Sequence, residues 1–260
     1  MNLYHDGHHQ AAALRITAYW QEKVKLFGID RAFRRLGLQD LTEAEHEIAL
    51  RRGGIQALPG TDAAGRGIVF YDRTRWEARR SHRASMVSLL DSTTVYCFIL
   101  CTKTHTTVHP CYMYSQFRAH WYILHSLMEG NPVVQKNGLV MLVYTSPNAE
   151  LESFDRKMIV TMMNHMRHVL PIRIVGFHHV INSSIIRLIM PLIYYVLGSE
   201  VRARYIQHIG MTGVQVMEAL KQFGLVQEQV PIELGGQYQF DYETWIGIQQ
   251  RIENNTTEIG

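Results

Sequence analysis

Between Ala12 and Ala57 the apolar residues form a thin helical stripe in charged surroundings. Leu14, Ala18, Val24 and the pair Tyr19/Trp20 recur near helical spacing, and Gly28 follows them, which predicts a helix with a glycine stop. "IDRAFRRLGL" predicts a shorter helix with Asp30 near its start. In "LTEAEHEIALRRGG", Thr42 reads as an N-cap with Glu45 three residues on, and Gly53-Gly54 as the stop. The texture then changes. Pro59, Gly60 and Gly65 are turn signals, and the apolar run "GIVFYD" predicts a strand ending at Asp72. The reading is a small helical lobe over residues 1–58 and a larger lobe over 59–260.

Farther along, helical and strand patterns alternate. "QFRAHWYILHSLMEGN" predicts a helix, "GLVMLVYT" a buried strand, and "ESFDRKMIVTMMNHMRHVLP" a Met-rich helix stopped by Pro171. "IRIVGFHHVIN" predicts a second buried strand, "SSIIRLIMPLIYYVLG" a helix ended by Gly198, and "RARYIQHI" a third strand. "GVQVMEALKQFG" is a helix, "PIELGGQ" a loop, and "DYETWIGIQQRI" a final helix capped by Asp241. Near-continuous apolar strands separated by helices argue for an α/β fold, with a mainly parallel sheet covered by helices.

The segment from Ser183 to Leu197 is apolar on every face. A surface helix shows one apolar stripe, so this one needs apolar material on both sides. Either it is buried centrally, or one face closes a greasy cavity while the other meets a membrane. Pro191 sits at its middle and invites a kink. Met158, Met162, Met163 and Met166 crowd the preceding helix. Unbranched, polarizable methionine suits ordinary core and equally suits a wall that must adapt to a flexible chain.

Composition narrows the choice. The chain has 260 residues, 47% hydrophobic and 19% charged, with a net charge of +3, which gives no electrostatic case for nucleic acid. Residues 1–19 are polar and His-rich and read as no secretory signal. The apolar run from Ile185 to Leu197 is interrupted by Arg187 and Pro191 and falls short of the roughly 20 residues a bilayer span takes. Three unevenly spaced cysteines make no disulfide framework. Catalytic and phosphate-binding motifs are absent; "GTDAAGRG" lacks the Lys-Ser/Thr of a P-loop. His178 and His179 are consecutive on a strand, so they point to opposite faces and cannot share one ion. They read as satisfied polar histidines. Arg173, Arg202 and Arg204 read as a solvated face or as a patch for anionic headgroups. The expectation is a cytoplasmic, non-enzymatic protein with no metal and no cofactor.

The stretch from "LPIRIVGFHHVIN" through "SSIIRLIMPLIYYVLG" to "VPIELGG", with "DAAGRGIVFYD" upstream, resembles the CRAL-TRIO (Sec14-like) lipid-binding family. The matching details are the P-x-R strand with a His near its end and the hydrophobic helix with a central Pro. Arg-x-x-x-His before a short helix and the closing Val230-Pro231 to Gly235-Gly236 match as well. The resemblance covers about residues 59–245. It implies a sheet that floors an apolar pocket and a mobile gate helix, here residues 183–197. It carries pocket-lining roles to Met162, Met166, Leu170, Phe177, Ile185, Leu188, Ile189 and Leu192, and a phosphoinositide-binding role to Arg173 and Arg204. The partners it implies are a hydrophobic small molecule or phospholipid and a transient membrane surface, with no nucleic acid. Function is then lipid binding and transfer; the alternative is a lipid-sensing regulatory or scaffolding module. Two positions depart from the pattern. The usual Gly-Arg-Pro is Gly65-Arg66-Gly67, and Ile172 stands where a phosphatidylinositol-transfer branch has an acidic residue.

Residues 87–115 have a different texture, rich in Thr, Tyr, Val and Cys. Cys97, Cys101, His105 and His109 recur every fourth residue and would share a helical face suited to zinc. The Thr/Val content and Pro110 argue against that helix. The segment reads instead as an insertion foreign to the fold, of the kind a retained in-frame intron leaves.

Overall fold

The computed structural model describes residues 9–73, 75, 110–129, 131–149 and 156–257. In chain order these hold α1 (His9–Phe27), α2 (Ile29–Ala32), α3 (Glu43–Glu45, continuing in a wide turn His46–Arg51), β1 (Ile55–Thr61) and β2 (Gly67–Asp72). Then come α4 (Pro110–Met128), α5 (Pro132–Asn137), β3 (Leu139–Thr145) and α6 (Arg156–Asn164, with a wide turn His165–Val169). β4 (Ile174–Ile181), α7 (Ser184–Arg202), β5 (Tyr205–Ile209), α8 (Gly213–Lys221) and α9 (Tyr242–Thr257) complete the order.

The caps fall where local chemistry put them. Gly28, at φ 79°, donates its N–H to Val24 at 2.8 Å and closes α1. The Thr42 hydroxyl accepts from Glu45 N–H, and the Glu45 carboxylate accepts from Thr42 N–H at 2.7 Å. The same carboxylate meets Arg118 of α4 at 2.8 Å, so the cap also ties α3 to α4. Asp241 caps α9 through Glu243 N–H and the Thr244 hydroxyl. α9 then returns to the N-terminal helices, where Glu253 accepts from Leu38 N–H and from the Tyr122 hydroxyl at 2.9 Å.

The five strands lie in the order β1-β2-β3-β4-β5, with β1 antiparallel to β2 and the rest parallel. Alternation along each strand sends two residue sets to two faces. Val69, Tyr71, Met141, Val143, Phe177 and Ile181 face α1, α4, α6 and α7. Ile68, Phe70, Val140, Leu142 and Val180 face α8 and the loop bearing Leu225, Val230 and Leu234. Each fully buried large side chain contributes about 1.5–3 kcal/mol. Trp121, Tyr71 and Tyr122, among the largest buried side chains, place the weight of the core where α4 crosses the sheet.

Three boundaries differ from expectation. Leu58 lies inside β1, and Pro59 and Gly60 form a bulge in it rather than a turn. An edge strand tolerates Pro because that N–H has no neighbour to bond. The turn comes later, where Asp62 accepts from Ala64 and Arg66 N–H and pairs with the Arg66 guanidinium at 2.5 Å. α4 opens at Pro110, ahead of the expected start at Gln116, because a first-turn residue needs no N–H donor. Residues 110–115 of the expected insertion therefore belong to a helix; Cys97, Cys101, His105 and His109 lie outside the described residues. The third difference is at Gly198, whose φ of 71° breaks α7, after which the chain resumes a helical turn to Arg202.

Candidate functional site: the sheet face beneath α7

Ser183 starts α7. Its hydroxyl donates to Ala149 O at 3.0 Å and accepts from Ile186 N–H, fixing the helix to the loop after β3. Ile186, Met190, Ile193, Leu197 and Val201 recur at helical spacing and are buried against the core. On the opposite side Leu188 is 80% and Tyr195 81% exposed, with Pro191 exposed between them. α7 is therefore not a centrally buried helix; it covers the sheet with one apolar face and presents another outward. Leu188, expected in the pocket lining, belongs to that outer face. A step of two residues turns a helix by about 200° from the buried Ile186. At the far end the Arg167 guanidinium lies against Gly198, where any β-carbon would collide with it.

Beneath α7, Met162, Met166, Leu170 and Phe177 are buried in one apolar cluster with Met158 and Met163. The side chains of Ile185, Ile189 and Leu192 lie outside the described residues. Arg15 of α1 reaches into this wall and donates to Leu170 O at 2.8 Å and Met166 O at 2.7 Å. Those carbonyls are freed by the wide turn that ends α6, in which Leu170 N–H bonds His165 O, five residues back. Arg204 is half-buried and donates to Ile174 O at 2.9 Å, next to the exposed Arg173, so the two arginines sit at the same end of the sheet, where β4 and β5 begin.

A polar chain crosses this apolar floor. His179 Nε2 is 2.8 Å from the Thr145 hydroxyl, and Nδ1 is 2.5 Å from the Tyr205 hydroxyl. Tyr194 of α7 meets the Tyr205 ring edge-on at 5.2 Å. Burial, with Arg73 and His208 adding to it, pushes the His179 imidazole down to about 3, so it is neutral. The three groups carry three hydrogens and share two hydrogen bonds. One hydroxyl hydrogen is left over, on Thr145 or on Tyr205, whichever way the ring is protonated. The floor can thus donate one hydrogen bond. His178 points the other way and meets His208 at 3.2 Å on the α8 face, so the two histidines occupy opposite faces as their positions require. Sequence reasoning missed Thr145 and Tyr205; their only signal was a hydroxyl at the end of one apolar strand and the start of another.

A family model described as a divergent CRAL/TRIO domain matches residues 92–243. The chain belongs to that family. The crystal structure of Sfh5 is similar, with a TM-score of 0.48 and 11% identity, over 90% of this chain and 75% of that one. No curated protein matches by sequence. A CRAL/TRIO domain is a lipid-binding or lipid-transfer module, and its mixed sheet with helices on both faces is the fold described above. The pair Gly235-Gly236 has a packing reason here. A β-carbon at Gly235 would strike Gly213 at the start of α8, and one at Gly236 would strike Val230 O. Among the described residues no helix is long and apolar enough to cross a membrane, and no group of three or more His, Cys, Asp and Glu is placed to hold a metal ion.

Proposed function

We propose that this CRAL/TRIO domain holds a hydrophobic lipid between the sheet and α7 and passes it to and from membranes at the cytosolic surface. The observation that carries the reading is the two-faced α7: a buried stripe from Ile186 to Val201 and an opposite face exposing Leu188, Pro191 and Tyr195. Met162, Met166, Leu170 and Phe177, with Ile185, Ile189 and Leu192, line the chain's path in this reading. Leu188 and Tyr195 touch the bilayer while the gate is open. In this reading α7 hinges at Gly198, where its helical path breaks, and at Pro191, which cannot donate a backbone hydrogen bond. Arg173 and Arg204 attract anionic headgroups, at about 1 kcal/mol per basic residue near the surface.

The physics suits a carrier. Each buried methylene contributes about 0.8 kcal/mol, so a 16-carbon chain resists entering water by roughly 12 kcal/mol. A wall as apolar as the bilayer makes the two places nearly equal in free energy, and the protein lowers a barrier rather than changing an equilibrium. The test is transfer of a self-quenched fluorescent neutral lipid between donor and acceptor vesicles. Transfer that rises in proportion to protein supports the carrier; loading of the lipid without transfer supports the lipid sensor instead.

A further inference from the structure

α4 crosses the sheet on the same face as α7 and packs over β1 and β2. Gln116 and His120 stand four residues apart on it, so they share a face. Gln116 is 1% exposed and His120 2% exposed. Among the described residues neither amide atom of Gln116 has a hydrogen-bond partner, and neither does His120 Nε2. The other ring nitrogen, Nδ1, is 3.3 Å from the Tyr71 hydroxyl of β2. Three buried polar atoms side by side without partners are rare, because each leaves its desolvation cost uncompensated. An apolar pair would fit this helix with no such cost. Their presence here points to something that satisfies them.

The atoms specify its chemistry. Gln116 offers a donor and an acceptor together. His120 offers one or the other, set by whether Tyr71 gives or receives the hydrogen at Nδ1. When Tyr71 donates to Nδ1, His120 Nε2 carries the hydrogen, and one hydroxyl answers all three by accepting from Gln116 Nε2–H and His120 Nε2–H and donating to Gln116 Oε1; a bare ester or ether oxygen leaves Gln116 Oε1 empty. Burial, with His165 and His125 nearby, pushes the His120 imidazole down to about 3. The pair therefore presents no positive charge, and a phosphate or carboxylate would be desolvated here without a counter-ion. Tyr71 shares a cross-strand row with Val143 and His179, so the pair lies over the same floor as the Thr145–His179–Tyr205 chain.

We propose that Gln116 and His120, braced by Tyr71, bind the polar end of the ligand, and that this end is an uncharged hydroxyl. The guest is then a long-chain or polycyclic alcohol rather than a charged phospholipid. This rests on the reading of the α7 face as a lipid site.

The test is displacement of N-phenyl-1-naphthylamine, a neutral fluorescent probe of apolar sites, by hexadecan-1-ol and by its methyl ether. On the unaltered protein the alcohol is expected to compete roughly 5- to 150-fold better, the worth of leaving buried polar groups unmet. In Gln116→Leu/His120→Phe that preference falls to near one. Without ligand the same variant melts roughly 2–10 °C higher, because it no longer buries unpaired groups. Equal competition by alcohol and ether on the unaltered protein would overturn the inference and leave an ordered water as the occupant. So would a preference that persists in the folded variant. Failure of the probe to bind at all would overturn the lipid-site reading, and this inference with it.

Discussion

Tyr205 shows how much one atom decides in this core. Its hydroxyl is the partner of His179 Nδ1, and among the described residues no other polar group bonds that nitrogen. Tyr205→Phe keeps the ring, its contact with Phe177 and its edge contact with Tyr194, and removes only the oxygen. A buried imidazole nitrogen is left unmet, at a cost of about 1–3 kcal/mol. Thermal unfolding should show a fall in Tm of roughly 2–10 °C; an unchanged Tm would mean the bond contributes nothing. Single-residue chemistry was partly legible beforehand. Alternation alone put His178 and His179 on opposite faces, and the Thr42/Glu45 box was readable as four letters. Gln116 and His120 went unnoticed, although two polar residues four apart inside "QFRAHWYIL" were the available signal. A sequence shows that a residue is polar and does not show that it is unpartnered.

At the scale of elements, α7 carries the account. Its apolar residues run all round, so periodicity could not say which side meets water, and Leu188 was assigned to the wrong one. The capped helices and the parallel strands were readable because cap and period agree locally. β1 was hidden because Pro59 and Gly60 read as a turn, and only the register with β2 shows that the strand passes through them. α5 was missed too; Asn131-Pro132 opens it, with the Asn131 side chain accepting from Val134 N–H at 3.1 Å. The two-faced α7 makes a direct prediction. Leu188→Asp/Tyr195→Asp alters only exposed positions, so Tm should move by less than about 2 °C. Vesicle-to-vesicle transfer should fall by roughly tenfold or more, because charged groups resist entering the bilayer. Loss of folding would place these side chains in the core, and unimpaired transfer would place the membrane contact elsewhere.

Across the whole molecule the buried histidines set a limit in acid. His120 and His179 are pushed down to about 3, and His125 and His178 to about 4, each chiefly by burial. His165 and His208 are lowered as well. Unfolded, each would titrate near 6.5. Between that value and the folded ones the unfolded chain binds more protons, so stability is full above about pH 6.5 and drains away as pH falls toward 4. Each unit of depression is worth about 1.4 kcal/mol. Four such groups together rival the ~5–15 kcal/mol that holds a typical domain. Urea midpoints measured from pH 7.5 to 4.5 should stay level down to about 6.5 and then drop steeply; a flat profile to pH 4.5 would mean these rings are solvated. The most direct test of the lipid site itself is native mass spectrometry of the protein after incubation with vesicles of a cell-membrane lipid extract and gel filtration. The predicted result is a stoichiometric mass increment of one lipid per chain that disappears on denaturation. A spectrum of bare polypeptide alone would contradict the account.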